Sequence, residues 1–318
     1  MIRNARRHTE AGSRKDQRVL WYDKAASTLA ALMPQQPLDG ERDKRRTAGS
    51  TPACGTKTYK TTNMKDIELY NDHFQNYKVY GIPKAQLVIA DIPFNVGKNA
   101  YASNPMWYNG GDLKNGQSEL AAKEFFDTDK DFRVAEFMSF CSRMMKKEPK
   151  ETGKSPCMVV FCAFEQQMYL IEKAKEHGIN RYIPMQFYKN YSAQVLKANM
   201  RVVGNTEYAL ILYRDKLPKF NNNGRMVFNC LPFQRDVTTP KIHPTQKPVG
   251  LLEFLIRTFT DPGDVVIDPC AGSGSTLLAA KNTGRKAYGF EIKKEFYASA
   301  KKLIDTYSTM QFDFDAEL

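Results

Sequence analysis

The feature that most constrains the fold of this chain is the segment PGDVVIDPCAGSGSTLLAA, residues 262–280. An apolar run is followed at once by a glycine-containing turn and then by a helical pattern. Gly272 and Gly274 have no Cβ, so the backbone of the turn can approach a ligand closely. Ser275 and Thr276 would open a helix whose N-terminus points at that ligand. Because the third glycine of the dinucleotide fingerprint and the P-loop lysine are both missing, the turn alone is a weak signal.

A second feature strengthens the case for a nucleotide site. The segment KAYGFEI reads as the next strand, and it brings Glu291 to its carboxyl end eighteen residues after Ser273. An acid at this place can accept hydrogen bonds from both hydroxyls of a ribose. A solvated strand end is the alternative, but the spacing to the glycine turn favours the ribose.

Strand and helix patterns alternate along the rest of the chain. The predicted strands are residues 67–70, 86–91, 157–162, 182–189, 207–214, 265–268 and 286–292. The predicted helices are one that begins after Thr128 or Asp129 and those over 165–178, 251–259, 275–284 and 295–304. Alternation of this kind indicates an α/β fold with a mostly parallel, doubly wound sheet.

Composition limits the function classes. The 318 residues carry a formal net charge of +12, which hints at a polyanionic partner. No apolar run is long enough to cross a bilayer, and the N-terminal residues lack the apolar stretch of a secretory signal, so we expect a cytoplasmic protein. The six cysteines form no C-x-x-C pair, which is typical of small buried side chains in a reducing cytosol. We expect no metal site.

The charge surplus is concentrated near the N-terminus. Residues 1–63 contain 13 Lys or Arg against 6 Asp or Glu, so they supply +7 of the +12. They show no sustained helical or strand period, and we expect a disordered basic leader or an upstream extension, with Met64 as the natural start. A DNA-grasping arm is the functional alternative. We expect residues 64–318 to form a single domain.

Three segments together resemble the DNA amino-methyltransferases. VIDPCAGSGSTLLAA resembles their S-adenosylmethionine-binding motif I, and HPTQKPVGLLEFLIR, just before it, resembles their motif X. Asp91-Ile92-Pro93-Phe94 is similar to their catalytic motif IV, usually D/N/S-P-P-Y/F/W. The order IV, X, I resembles the β class, and compact members of this type are frequent in phages and prophages. The resemblance spans about residues 65–305 and implies a circularly permuted, seven-stranded Rossmann-like methyltransferase sheet with small recognition loops.

The resemblance implies an activity: transfer of a methyl group from S-adenosylmethionine to the exocyclic N6 of adenine in flipped-out double-stranded DNA. Asp91 and the carbonyl of Ile92 would accept hydrogen bonds from the amine, and Pro93 would hold that carbonyl outward. Phe94 would stack on the flipped base. Ile92 departs from the family, which has proline there. Asp91 at the first position favours adenine N6 over cytosine N4.

The resemblance also implies cofactor contacts in motifs X and I and at the ends of two strands. The cofactor-binding candidates are Asp72, Thr245, Gln246, Lys247, Asp268, Pro269, Ala271, Gly272, Ser273, Gly274, Ser275, Glu291 and Ile292. An N-cap role is an equal alternative for Asp72.

Two polar segments, 96–129 and 215–242, are candidates for DNA recognition, because they combine basic, amide and aromatic residues. The DNA-binding candidates are Lys98, Tyr101, Asn104, Trp107, Arg225, Arg235 and Lys241. The aromatic residues of 96–129 could equally pack as an active-site lid.

Several alternatives stay open at this level. Cytosine-N4 methylation uses the same chemistry, and an RNA substrate fits the same motifs. Ile92 also invites the idea of a protein that binds S-adenosylmethionine and DNA without turnover. A homodimer and a restriction endonuclease partner are both compatible with the sequence.

Overall fold

The computed structural model describes residues 66–94, 132–189, 194–197, 202–243 and 245–307, with 194–197 described by their backbone alone. All of them belong to one compact unit, Thr58–Leu318.

Ten strands are present in the described ranges. They are β1 (Ile67–Tyr70), β2 (Leu87–Asp91), β3 (Cys157–Cys162), β4 (Arg181–Tyr188), β5 (Gln194–Lys197), β6 (Val202–Gly204), β7 (Thr206–Tyr213), β8 (Cys230–Pro232), β9 (Val265–Asp268) and β10 (Lys286–Phe290). Eight of them form one sheet in the order β1-β10-β9-β2-β3-β7-β4-β8, while β5 and β6 pair separately. All neighbours in the large sheet are parallel except β7, which is antiparallel to both β3 and β4.

The predicted mostly parallel sheet is therefore confirmed, with one strand more than the seven expected. The additional strand is β8, a three-residue strand at the edge beside β4. Such a short stretch, with exposed residues at both ends, has too little apolar pattern to be recognised in the sequence. The circular permutation stays a prediction.

Five α-helices within the described part of the chain cover the two faces of the sheet. They are α1 (Val134–Met144), α2 (Gln167–Glu176), α3 (Val249–Phe259), α4 (Ser275–Asn282) and α5 (Lys294–Thr306), together with 3₁₀ segments at Phe74–Tyr80 and Phe164–Gln166. None of the helices in the described ranges is long and apolar enough to cross a membrane.

The side chains of β2 show why the sheet is doubly wound. Leu87 and Ile89 belong to the buried cluster that includes α3, α4 and α5, whereas Val88 and Ala90 belong to the cluster that includes α1 and α2. Successive residues of a strand point to opposite faces, so a continuous apolar strand can contribute to two cores at once.

Helix α1 begins later than predicted. Arg133 has an extended backbone, with φ −104° and ψ 108°, and the helix starts at Val134. Phe132 lies before the helix, and its ring packs against Phe74 and Phe137 with centroid distances of 6.4 and 5.5 Å. Phe132, which the predicted helix would have included, therefore packs through aromatic contacts from outside the helix.

Strands β2 and β9 are neighbours and parallel, so their carboxyl ends lie at the same edge of the sheet. The helix after β9 packs on one face, and the first described helix after β2 packs on the other. Such a change of winding between neighbouring strands opens a crevice at their carboxyl ends. Asp91 ends β2 and Asp268 ends β9.

Candidate active site

The glycine turn follows β9 as the sequence indicates. Gly272 and Gly274 have φ of +50° and +71°, a left-handed conformation that favours glycine. A Cβ on Gly274 would lie 2.9 Å from Cδ1 of Ile304 in α5, so this position also requires glycine for packing. The turn is closed by hydrogen bonds from the Gly274 N–H to the Ala271 carbonyl at 2.7 Å and from the Ala271 N–H to the Phe290 carbonyl at 2.9 Å.

Glu291 is fixed beside this turn. Its Oε2 accepts a hydrogen bond from the Gly272 N–H at 2.9 Å, and its Oε1 accepts one from the Lys293 N–H at 2.7 Å. The Asn71 amide donates to the carbonyls of Glu291 and Ile292, at 2.8 and 3.2 Å. Burial raises the pKa of Glu291, and its two backbone donors oppose the shift. A carboxylate has about four acceptor sites, so Glu291 keeps capacity for a ligand.

Asp268 is the most deeply buried acid of the site, with 4% of its surface exposed. Burial raises its pKa to about 7, although hydrogen bonds from Thr276 and the Cys270 N–H oppose the shift. The negative charges of Asp91 and Glu291 contribute in the same direction as burial. Three acids therefore share one edge of the sheet at short range.

The other motif I candidates form the wall of the turn. Ser273 and Ser275 are buried, and their hydroxyl oxygens lie 2.8 Å apart in a hydrogen bond. Pro269 is buried between Asp268 and Cys270, whereas Ile292 is exposed at the end of β10.

Two motif X candidates shape their own loop. The side chain of Gln246 accepts a hydrogen bond from the Ile242 N–H at 2.9 Å and donates one to the Pro240 carbonyl at 3.0 Å. Thr245 contacts Nδ1 of His243 through both its N–H, at 3.3 Å, and its hydroxyl, at 3.1 Å. Their cofactor contacts stay predictions.

His243 joins this loop to the glycine turn. A Cβ on Gly272 would lie 3.6 Å from Nε2 of His243, so the imidazole packs directly on the turn. Burial lowers the pKa of His243 to about 4, and the positive charge of Lys247 acts in the same direction. The imidazole is therefore neutral near pH 7.

Lys247 lies against the catalytic candidate. Its Nζ is 2.7 Å from Oδ2 of Asp91 and 3.3 Å from Oε2 of Glu207, and 8% of its side chain is exposed. The sequence indicates Lys247 only as a cofactor contact, which stays a prediction; its position between two carboxylates is a result of the tertiary structure. Phe94 and Phe161 line the same place, with ring centroids 5.7 and 5.2 Å from Nζ.

Asp91 is held at one oxygen. Oδ2 accepts the hydrogen bond from Lys247, whereas Oδ1 is buried and has no hydrogen-bond partner within the described ranges. Burial raises the pKa of Asp91, and Lys247 opposes the shift. Burial would lower the pKa of Lys247, but the carboxylates of Asp91 and Glu207 raise it above its ordinary value.

The residues after Asp91 are held by packing of Ile92 in the core and by a hydrogen bond to Pro93. Ile92 is 2% exposed and belongs to the same buried cluster as Phe137 of α1, which accounts for an apolar side chain where the family has proline. The Pro93 carbonyl accepts a hydrogen bond from the Gln166 amide at 2.8 Å, and Oε1 of Gln166 accepts one from the Ala163 N–H at 3.0 Å. Gln166 thereby ties this loop to the end of β3.

Asp72 makes local contacts after β1. Its Oδ1 accepts hydrogen bonds from the His73 N–H and the Asn76 amide, both at 2.7 Å, and its Oδ2 accepts one from the Tyr80 hydroxyl at 2.7 Å. These bonds, that from Tyr80 first, lower the pKa of Asp72. The N-cap of the 3₁₀ segment is His73, so the alternative N-cap role of Asp72 is wrong. Its contact with a cofactor adenine stays a prediction.

Only one of the two candidate DNA segments lies within the described residues. Residues 96–129, with Lys98, Tyr101, Asn104 and Trp107, lie outside the described residues. The first part of 215–242 lies at the amino ends of the strands: the Leu217 carbonyl accepts a hydrogen bond from the Ser155 N–H before β3, and the Asn221 N–H donates to the Thr258 carbonyl before β9. That edge is opposite to Asp91.

Arg225 follows in a turn in which its N–H donates a hydrogen bond to the Asn222 carbonyl at 2.9 Å, and its DNA contact stays a prediction. Arg235 and Lys241 are exposed and come after the chain has returned along β8. The Phe233 N–H donates to the Tyr188 carbonyl at the carboxyl end of β4, which runs parallel to β3. Arg235 and Lys241 therefore lie at the carboxyl edge of the sheet.

Two candidate functional residues, Glu207 and Gln166, were not predicted from the sequence. Glu207 is the second residue of β7, whose last five residues are buried, and Gln166 lies in the turn after β3. A charged residue at the start of an otherwise apolar strand, as in TEYALILY, is the one signal that could have indicated Glu207.

Comparison with known proteins identifies the family. Residues 85–302, more than half of the chain, match the N6_N4_Mtase family, described as DNA methylase. The DNA adenine methyltransferase YhdJ of Escherichia coli K12 is 27% identical over 261 residues, which cover 76% of this chain and 83% of YhdJ.

Two solved structures share the fold. The complex of M1.HpyAVI with SAM has a TM-score of 0.53 and 24% identity, covering 75% of this chain and 99% of the other. The cytosine-N4-specific PvuII DNA methyltransferase has a TM-score of 0.55 and 17% identity, covering 76% and 86%. With the motifs in place at one edge of the sheet, the chain belongs to the N6/N4 family of DNA methylases, which take their methyl group from S-adenosylmethionine.

Proposed function

We propose that this protein methylates the exocyclic N6 of adenine in DNA, with Asp91 as the acceptor that activates the amine. The observation that carries the proposal is Oδ1 of Asp91, which is buried beside the end of β9 and has no hydrogen-bond partner among the described residues. A buried carboxylate oxygen without a donor is costly, and a substrate N–H would satisfy it.

The residues at this edge suit S-adenosylmethionine. Asp91, Asp268 and Glu291 form an acidic group at this edge; burial raises the pKa of Asp268, and the negative charges of Asp91 and Glu291 add to that shift. When bound, the cofactor supplies the sulfonium methyl that is transferred, together with positive charge that complements these acids. The glycine turn allows close approach of backbone, and Glu291 retains acceptor sites for ribose hydroxyls.

The chemistry required of the chain is modest. The adenine amine is a poor nucleophile because its lone pair is delocalised into the ring. Oδ1 of Asp91 would accept one N–H and stabilise the positive charge that develops on nitrogen. The Ile92 carbonyl would accept the other N–H, since the Pro93 carbonyl already accepts from Gln166.

Phe94 would hold the base. Its ring centroid lies 5.7 Å from Nζ of Lys247, which places it next to the Asp91 carboxylate. Stacking of a base on an aromatic ring contributes roughly 1–3 kcal/mol. We assign backbone phosphate contacts to Arg235 and Lys241, which are exposed at the same edge.

Adenine is favoured over cytosine by two observations. An aspartate stands at the first position of the catalytic segment, and the 27% identical relative YhdJ is named a DNA adenine methyltransferase. The fold does not decide between the two bases, because a cytosine-N4 enzyme shares it.

Digestion of methylated DNA to nucleosides, followed by mass spectrometry, tests the proposal. The full chain, S-adenosylmethionine and mixed-sequence duplex DNA should yield N6-methyldeoxyadenosine. A product of N4-methyldeoxycytidine would overturn the choice of base, and no methylation of DNA by a folded, cofactor-binding protein would favour the non-catalytic alternative. RNA in a parallel reaction should stay unmodified, and Asp91→Ala provides the inactive control.

A further inference from the structure

We infer that Glu207 and Lys189 are positioning residues that tune the catalytic carboxylate through Lys247. Oε1 of Glu207 pairs with the Lys189 ammonium, Oε2 of Glu207 pairs with Lys247, and Lys247 pairs with Asp91. Four charges of alternating sign thus form a continuous chain. The inference rests on the proposed role of Asp91 as acceptor and holds for either base.

The chain of charges is built into the sheet. Glu207 is the second residue of β7 and lies opposite Phe187 in the antiparallel pair with β4, and Lys189 follows that strand directly. The side chains of Glu207 and Lys189 are 17% and 22% exposed. The Lys189 ammonium also lies over the ring of Phe233, 4.8 Å from its centroid. Neighbouring strands therefore hold both groups, whereas Lys247 comes from the loop before α3.

The arrangement divides the ammonium of Lys247 between two carboxylates. With Glu207 present, the four side chains together carry two positive and two negative charges, and Asp91 remains a strong hydrogen-bond acceptor. Without Glu207, Lys247 would interact with Asp91 alone, and one positive charge would be left uncompensated close to the amine. Because the amine becomes positive during transfer, that excess would disfavour the transition state.

Glu207 and Lys189 act on Asp91 with opposite sign. The charge of Glu207 raises the pKa of Asp91, whereas the charges of Lys247 and Lys189 lower it. Among the described residues, the other titratable groups whose ionisation is coupled to Asp91 are the Cys162 thiol of β3, Asp268 of β9 and the Cys270 thiol after β9. None of these is changed by a substitution at Glu207 or Lys189.

The experiment compares Glu207→Gln and Lys189→Met in the full chain, with duplex DNA and S-adenosylmethionine as substrates. The single-turnover rate of methyl transfer is measured against pH, because that rate isolates chemistry from product release. The acid limb is the low-pH side of this profile, where protonation of Asp91 lowers the rate. For Glu207→Gln, the acid limb should move to lower pH, and the plateau rate should fall roughly ten- to a hundredfold. For Lys189→Met, the acid limb should move to higher pH. The KM for S-adenosylmethionine should change little in either variant.

Opposite shifts are a signature that a merely structural role would not produce. Shifts of the same sign, or no shift in either variant, would overturn the inference. The matched control is the surface ion pair Lys173–Glu176 on α2, with an N···O distance of 2.7 Å. Lys173→Met and Glu176→Gln make the same changes of charge and should leave both limbs in place.

A folding failure, a failure of the proposed function and a failure of this inference can be told apart. If Glu207→Gln does not fold, as circular dichroism would show, the upward shift expected for Lys189→Met still decides the matter. If the wild-type protein transfers no methyl group to DNA, the proposed function fails; if it does and the limbs do not move, only the role of Glu207 and Lys189 fails.

Discussion

The ammonium of Lys247 lies 2.7 Å from Oδ2 of Asp91, although 156 residues separate the two along the chain. The contact joins the loop before α3 to the end of β2. It holds one carboxylate oxygen and leaves the other, Oδ1, buried without a partner in the described ranges. A carboxylate held in this way is oriented before the substrate arrives, which is a condition for efficient electrostatic catalysis.

Asp91→Ala should reduce methyl transfer to a small residual rate while leaving cofactor affinity nearly unchanged. Loss of a positioned acceptor costs on the order of a hundred- to a thousandfold in rate. Motif I is untouched, so S-adenosylmethionine should bind within a few-fold of wild type. Single-turnover kinetics and isothermal titration calorimetry measure the two quantities. An equal loss of both would show that Asp91 is structural.

Lys247→Met should destabilise the protein and move the acid limb of the rate profile to higher pH. Removal of one partner from a buried ion pair leaves an uncompensated charge and costs roughly 3–5 kcal/mol. The pKa of Asp91 should rise, because the positive charge that opposes the effect of burial is gone. Urea unfolding and the pH dependence of transfer test the two effects. Wild-type stability would contradict the importance of this pair.

Asp268→Asn should stabilise the cofactor-free protein at alkaline pH. The folded-state pKa of about 7 lies above the ordinary value of 3.8. Between these values the folded state keeps a proton that the unfolded state has lost, so the stability contribution of Asp268 falls as pH rises through this window. The variant has no such dependence, and its advantage should grow to at most roughly 4 kcal/mol.

Urea unfolding at about pH 5 and about pH 8 measures the stability difference between Asp268→Asn and the wild type. A difference that does not change with pH would contradict its origin in the raised pKa of Asp268. The same variant should bind S-adenosylmethionine more weakly, since a negative charge of the acidic group is lost.

Gly274→Ala should cost more stability than the same change at Gly284. Both glycines are left-handed, with φ of +71° and +73°, so both variants carry backbone strain of about 1–2 kcal/mol. Only at Gly274 does the added Cβ meet other atoms, 2.9 Å from Cδ1 of Ile304 and 3.1 Å from Cβ of Ala300. That overlap adds roughly 1–3 kcal/mol. The midpoints of urea unfolding compare the two variants, and equal losses of stability would mean that α5 can move aside.

Gln166→Leu should slow methyl transfer without changing cofactor affinity. The substitution keeps the size of the side chain but removes the hydrogen bond to the Pro93 carbonyl, which has a length of 2.8 Å. A small displacement of a catalytic loop can cost up to roughly a hundredfold in rate. Gln167→Leu, the same change one residue later, is the matched control and should be nearly neutral. Equal effects of the two changes would show that the bond does not position the loop.

The local pattern of the sequence was sufficient for the elements of the site. The apolar strands that end in Asp91 and Asp268, the strand that Glu291 directly follows, and the glycine turn after β9 agree with periodicity and with the conformational freedom of glycine. Because parallel strands place their carboxyl ends together, the observed strand order then brings these acids to one edge of the sheet.

The neighbours of Asp91 depend on the order of the strands, which no local pattern encodes. Lys247, Glu207 and Gln166 reach the site because β3 and β7 follow β2 in the sheet and because the loop before α3 returns to it. The same order carries residues 215–221 to the opposite edge, although their composition resembles a DNA contact. Sequence therefore determined which residues lie at the ends of the strands, and tertiary structure decided which charges surround the Asp91 carboxylate, since Coulomb interactions depend on distance in space and not along the chain.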